Sequence, residues 1–354
     1  MNSSRFACLA ALTLFGPSPL DRALHAISES SLRANLSFLA SDALAGRWTP
    51  SPGLDAAAEF IASRFREAGI EPANGPDYFQ YADLKDLANN SRWMHGKKID
   101  TPINARNIAG LLRGSDPRLR DTYVIVSAHY DHLGTLATGA DLSQRKTSPD
   151  GDQIFNGAND DGSGTVSVIE IASAFAKAKL RPKRSILFLL FCGEERGELG
   201  SLYYVDHPLF PLNQTMADIN IEQVGRSDSD LGKGNATMTG YGYTTITPVV
   251  ERAAAESGVR MVKTKETDPY FEASDNFSFA RAGIPDLTIG TSYDFPDYHG
   301  LKDEWQKIDF PELAKMDRLI ARVLWTIANS SNAPQWNAEN PKTEKYRKAA
   351  KATK

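Results

Sequence analysis

The chain has 354 residues, 41% of them hydrophobic, with 44 acidic against 40 basic side chains and a formal charge of −4. A length of this order buries a substantial core as one large α/β domain or two smaller ones, and the charge balance leaves no basic footprint for nucleic acid. Cys8 and Cys192 are the two cysteines, so a disulfide framework is excluded.

At the N-terminus a short apolar run, Phe6 to Phe15, follows Arg5 and precedes Pro17 and Pro19. This pattern predicts a secretory signal over residues 1–20 and hence a secreted or periplasmic protein; it is too short to span a bilayer, and no stable membrane insertion is expected. Apolar spacing predicts helices over 30–40 and 54–68, the second closed by Gly69 at its C-cap. Residues 71–102, rich in Pro, Asn, Gly and Asp, read as an irregular connection carrying one edge strand.

From Asn107 the texture changes. Short apolar runs at 107–113, 123–128, 185–191, 218–222 and 286–290 alternate with helical patterns at 165–179 and 247–257. Several of the runs are apolar on both faces, which predicts a mixed, largely parallel central sheet with helices on both faces. A last helix is expected over 310–330. Residues 21–332 are read as a single domain, and the polar, basic end 333–354 as a solvated, disordered tail.

The candidate chemistry lies at the ends of these runs. The loop Gly157–Gly164, G-A-N-D-D-G-S-G, presents Asp160 and Asp161 just ahead of a helix, although Asp, Asn and Gly at this position are also ordinary turn and cap chemistry. The run 123–128 leads into His129 and Asp131, where the carboxylate can accept the proton of the second ring nitrogen and fix the tautomer; a structural His–Asp pair has the same pattern. His132 has no partner argument and is read as a non-ligand. Glu194 and Glu195 leave the end of the run 185–191, Glu222 the end of 218–222, and His299 sits late in the chain with Asp303 one helical turn on as a supporting partner. Oxygen and imidazole donors without thiolates suit zinc at a catalytic site. Asp275 reads as a helix N-cap, and Arg226 and Lys302 as members of surface ion pairs.

The runs S-A-H-Y-D-H-L-G at Ser127, N-G-A-N-D-D-G-S-G at Asn156, C-G-E-E-R-G-E-L-G-S at Cys192, I-N-I-E-Q-V-G-R at Ile219, S-D-N-F-S-F-A-R-A-G-I-P at Ser274 and Y-H-G-L-K-D at Tyr298 resemble, in order, the aminopeptidase Y family of zinc peptidases. That family includes bacterial aminopeptidases, relatives of glutamate carboxypeptidase II, and the glutaminyl cyclases. The resemblance implies two Zn2+ per chain: His129 and Glu222 on one, Glu195 and His299 on the other, and Asp160 bridging both. It implies Asp131 behind His129, Glu194 as general base, Tyr298 as a phenol steadying the oxyanion, and a cis peptide between Asp160 and Asp161, whereas Asp161 supports the loop. The expected activity is removal of N-terminal residues from peptide substrates, with a carboxypeptidase, a glutaminyl cyclase or a non-catalytic binding module as alternatives. Many members carry Asp where this chain has Glu222. The oligomeric state is not legible.

Overall fold

The computed structural model describes residues 16–91, 98–139, 141–142, 151–228, 231–264, 267–292 and 295–352. The apolar run expected as a signal, Phe6 to Phe15, lies outside the described residues. The first helix, Pro19–Ala26, is closed by a capping box between Ser18 and Asp21.

The strands in chain order are β1 (Glu71–Pro72), β2 (Phe79–Asp83), β3 (Asn104–Leu112), β4 (Tyr123–His129), β5 (Gly134–Thr135), β6 (Ile154–Phe155), β7 (Ser185–Phe191), β8 (Thr215–Ile221), β9 (Asn235–Met238), β10 (Arg260–Met261) and β11 (Asp286–Gly290). The main sheet runs β1-β3-β7-β4-β8-β11-β9-β10, with β2 also paired to β3. Its centre is parallel, β7 to β4, β4 to β8 and β8 to β11, whereas β3 joins β7 and β9 joins β11 antiparallel. The mixed, largely parallel sheet expected from the runs is what forms.

The central strands are apolar on both faces because both faces are covered. Along β7, Ile186, Phe188 and Leu190 enter the larger core, and Leu187, Leu189 and Phe191 enter the core on the opposite face. These six side chains are 0% exposed, and each contributes about 1.5–3 kcal/mol by leaving water. The larger core is sealed by the helices Glu29–Leu39, Pro52–Ala68, Gly164–Lys177 and Phe310–Asn329. Gly69 caps the Pro52–Ala68 helix in the left-handed region (φ 78°), as expected. The stretch after it is more ordered than its composition suggests: β2 pairs with β3 through five residues, and a short helix spans Lys85–Asn90.

The tail differs from expectation. Rather than lying free, residues beyond Asn332 form a helix at Glu344–Ala352 that packs on the body. Trp336 and Tyr346 stack at 4.8 Å in a cluster with Phe271 and Tyr243, and the Trp336 indole donates to the Gly283 carbonyl at 2.8 Å. Two aromatic side chains within a basic, polar segment supply enough apolar surface to hold it, which overall charge does not reveal.

Candidate metal centre

Parallel strands in register end at one level, and that is where open sheets of this kind build their sites. His129, the last residue of β4, lies opposite Phe191, the last of β7. Glu194 and Glu195 follow β7, Glu222 follows β8, and His299 lies on the connection after β11.

The Asp160 loop completes the set. Ala158–Ser163 make a widened helical turn in which Asp160 (φ −108°, ψ 102°) and Asp161 (φ −115°, ψ 44°) leave helical angles, and the peptide between them is cis. Asp161 turns inward: its Oδ1 accepts the N–H of Gly164 at 3.0 Å and of Gln223 at 3.1 Å. A Cβ on Gly164 would meet that carboxylate at 2.3 Å, so the position requires glycine. Asp161 therefore ties the Asp160 loop to the Glu222 loop, and Asp160 faces the cleft.

Asp160 lies between the two imidazoles. His129 Nε2 is 3.3 Å from Asp160 Oδ1, and His299 Nε2 is 3.2 Å from Asp160 Oδ2. Glu222 Oε1 is 3.7 Å from His129 Nε2, and Glu195 Oε2 is 3.1 Å from His299 Nε2. Glu194 Oε2 stands 3.9 Å from His129 Nε2. Thus all five expected ligand positions and the expected base converge. Tyr298 stacks on His299 with ring centroids 4.0 Å apart, and its side chain lines the same cleft of about 400 Å³.

Each ring is oriented from behind. His299 Nδ1 lies 3.3 Å from the Leu142 carbonyl, and His129 Nδ1 is 3.3 Å from the Asp131 carbonyl and 3.6 Å from its Oδ1. Both arrangements leave Nε2 for the cleft. Asp303 does not support His299 as expected. Its carboxylate accepts the N–H groups of Asn159 and Asp160 at 2.9–3.0 Å and so holds the Asp160 loop. Helical spacing from His299 fails because residues 299–303 are not helical.

The electrostatics are those of crowded acids around two imidazoles. Burial lowers the His129 pKa, but Glu194, Asp131, Asp160 and Glu222 together raise it well above the usual imidazole range. Burial opposes ionisation of Asp160, yet His129 and His299 hold it well below the carboxylate range. Glu195, similarly buried, is held down to about 2 by His299 and His132. Glu194 moves the other way: burial, with Glu195 and Glu222 nearby, pushes it well above its usual value despite His129.

The donor set fits zinc. His129 Nε2 and Asp160 Oδ2 are buried and make no protein hydrogen bond, although other donor atoms lie close. Tetrahedral zinc with bonds of about 2.0–2.1 Å sets its donors about 3.3 Å apart, the spacing seen here. Among the described residues three groups, His129–Asp160–Glu222, His129–Glu194–Glu195 and His132–Asp160–Glu195, each gather donor atoms within 4.8 Å.

Other expectations divide. Arg226 pairs with Asp297 at 2.6 Å, and Lys302 lies 3.9 Å from Asp152, as expected of ion pairs. Asp275 occupies the N-cap position of the helix Asn276–Arg281, but its side chain makes no capping bond, and burial pushes its carboxyl up to about 7. Sequence reading missed Arg47 and Thr49. The Arg47 guanidinium, 1% exposed, donates to the carbonyls of Leu39, Tyr130, Asn156 and Gly157, and the Thr49 hydroxyl donates to Asp131 Oδ2. These contacts span up to 110 residues of chain, so no local pattern announces them.

The chain is similar to several known proteins. A probable zinc metalloprotease of Pyrenophora teres f. teres is 26% identical over 326 residues, 86% of this chain and 65% of its own length. A second, from Pyrenophora tritici-repentis, is 26% identical over 348 residues, covering 86% and 74%. Among solved structures, the LapA aminopeptidase of Legionella pneumophila shares the fold with a TM-score of 0.64 at 17% identity, covering 88% of this chain and 75% of that one. BSAP, a zinc aminopeptidase from Bacillus subtilis, superposes with a TM-score of 0.62 at 18% identity, covering 85% and 95%. The family model described as Peptidase family M28 matches residues 107–324, and the chain belongs to that family.

Proposed function

We propose that the chain is a two-zinc exopeptidase of the aminopeptidase Y type that removes N-terminal residues from peptides. The observation that carries this reading is the position of Asp160 between two donor sets, His129 with Glu222 and His299 with Glu195. His129, Asp160 and Glu222 would hold one ion; Asp160, Glu195 and His299 would hold the other. Zinc there supplies Lewis-acid polarisation of the scissile carbonyl and acidifies water.

Glu194 is the proton carrier. Its carboxylate takes a proton from the attacking water and delivers it to the nitrogen of the leaving amine. Tyr298 donates a hydrogen bond from its hydroxyl to the oxyanion of the tetrahedral intermediate, an interaction type worth on the order of 3 kcal/mol in other hydrolases. Glu222, one methylene longer than the Asp of many relatives, keeps a carboxylate oxygen within 3.7 Å of His129 Nε2.

The lining of the cleft favours a free amine over a free carboxylate. Asp160, Glu194, Glu195 and Glu222 line it, and no Lys or Arg does so among the described residues. Arg226 is engaged by Asp297. A carboxypeptidase would need a cation at this point. A glutaminyl cyclase would not need the His129 and Glu222 half of the site, which is complete here.

The apolar run behind Arg5 supports export, giving a secreted or periplasmic enzyme; among the described residues no helix is long and apolar enough to cross a membrane. N-terminal sequencing of the mature protein tests the export reading. The activity is tested by counting zinc per chain and comparing free-amine with N-blocked peptides. Two zincs and cleavage restricted to free amines are expected, and cleavage restricted to blocked peptides would overturn the aminopeptidase reading.

A further inference from the structure

We infer that His132 is a positioning residue for the second metal site, holding the Glu195 carboxylate so that one oxygen is turned to His299 and Asp160. The inference rests on the two-zinc reading above. It assigns a task to the third imidazole of the centre, which that reading leaves unused.

The two oxygens of Glu195 are divided between the two rings. Oε1 lies 2.7 Å from His132 Nδ1, and Oε2 lies 3.1 Å from His299 Nε2. A glutamate side chain has three rotatable bonds, so a partner on its rear oxygen restricts where the forward oxygen points. Neither nitrogen of His132 makes a hydrogen bond to another described group. This separates His132 from a histidine that merely fills core. A buried ring of that kind satisfies its N–H on a carbonyl or hydroxyl, whereas the atom facing Nδ1 here is a ligand oxygen.

The ring is also held in place. It is 0% exposed, its backbone N–H donates to the Arg47 carbonyl at 3.2 Å, and it meets the His299 ring edge-on at 5.9 Å between centroids. Gly157, in the left-handed region at φ 56°, makes room for it: a Cβ there would meet His132 Cγ at 2.4 Å and Cδ2 at 2.5 Å. The loop that carries Asp160 is therefore shaped around this ring. His132 adjoins the Asp160 loop, Glu195 and His299, the three elements of the second site, which predicts an effect confined to that site.

The test compares His132→Asn, which keeps an amide donor near the Nδ1 position, with His132→Gln and His132→Leu, which do not. Zinc stoichiometry and the two dissociation constants are read by competition with a chromophoric chelator, alongside thermal unfolding. Loss of the Nδ1 partner is expected to weaken the second zinc about 10–100-fold and leave the first unchanged, with His132→Asn restoring most of the loss. If His132→Leu does not fold, His132→Gln against His132→Asn makes the same comparison. Equal weakening of both zincs together with a lower melting temperature would show a core role and overturn the inference, as would unchanged affinities or no rescue by Asn. A wild-type chain that binds only one zinc overturns the two-zinc reading and this inference with it; two zincs in wild type with indifferent variants overturns this inference alone.

Discussion

Asp131 Oδ1 accepts the backbone N–H of Glu194 at 3.1 Å while lying 3.6 Å from His129 Nδ1. One carboxylate thus orients a proposed ligand of the first site and fixes the start of the loop that carries the proposed base. Its other oxygen is held by the Thr49 hydroxyl at 3.0 Å, so the group has little freedom to turn away. Asp131→Ala is expected to weaken the first zinc about 10–100-fold. It is also expected to lower kcat at saturating zinc, because Glu194 loses its backbone anchor. Chelator competition and steady-state kinetics measure the two effects separately, and intact values of both would contradict the assignment.

Glu194 stands at 3.9 Å from His129 Nε2, slightly beyond the spacings of the ligand pairs, as suits a group that handles a proton and does not ligate. Glu194→Gln keeps the shape and removes the proton acceptor. The variant is expected to retain both zincs and lose about 10²–10⁴-fold in kcat. Zinc analysis and kcat on a free-amine peptide decide this, and near-normal turnover would mean the base lies elsewhere.

Removing zinc should cost stability as well as activity. Without cations the buried acids Asp160, Glu194, Glu195 and Glu222 face one another and the imidazoles of His129, His132 and His299. Each bound ion at 100 times its dissociation constant adds about 2.7 kcal/mol to the folded state. Exhaustive chelation is therefore expected to abolish turnover and lower the melting temperature, with both restored by added zinc. A melting temperature indifferent to chelation would argue against a buried ion pair at this position.

Arg47 is the tie beneath the site. Its guanidinium spans four carbonyls at 2.5–2.9 Å, and burial, opposed by Asp131, Asp303, Asp160 and Asp161, brings its pKa down to about 10. The ammonium of Lys cannot reach all four acceptors, and each buried carbonyl left without a donor costs roughly 1–3 kcal/mol. Arg47→Lys is expected to lose at least about 2 kcal/mol in denaturant unfolding and to weaken both zincs, since Tyr130 adjoins His129 and Gly157 leads to Asp160. A variant as stable as wild type would remove Arg47 from this role.

The legible parts were those written locally. Runs such as Ser185–Phe191 announce doubly covered strands through continuous apolarity, and most of the candidate ligands are legible because they adjoin a strand end or a glycine-rich turn. What supports them was not legible. Arg47 and Thr49 sit in a turn with no chemical pattern, and apart from the Leu39 carbonyl their partners lie 82–110 residues away. His132 looked idle because its partner, Glu195, is 63 residues on in the sequence, beyond any local spacing rule. Asp303 misleads for the opposite reason: helix-based spacing suggests His299 as its partner, whereas the folded loops give it the distant N–H groups of Asn159 and Asp160. The tail was misread because average polarity hides single anchors such as Tyr346, 2% exposed.

Asp317 gives a prediction independent of the metal centre. It lies on the helix Phe310–Asn329, fully buried, and burial pushes its carboxyl up to about 8, with Ser167 opposing, Glu170 adding and Arg318 opposing. The folded chain keeps this proton up to about pH 8, whereas an unfolded Asp releases it near about 3.9. Between these values unfolding releases a proton, so the carboxyl makes stability fall as pH rises, by at most about 1.4 kcal/mol per pH unit, and the fall levels off above the folded value. Asp317→Asn removes this dependence. The variant is expected to gain little over wild type near about pH 4 and progressively more towards about pH 8, reaching the order of a few kcal/mol. Denaturant midpoints measured across that range for both chains give the difference directly. A gap that narrows as pH rises would show that Asp317 is ionised in the folded protein and held by a partner that favours its charge.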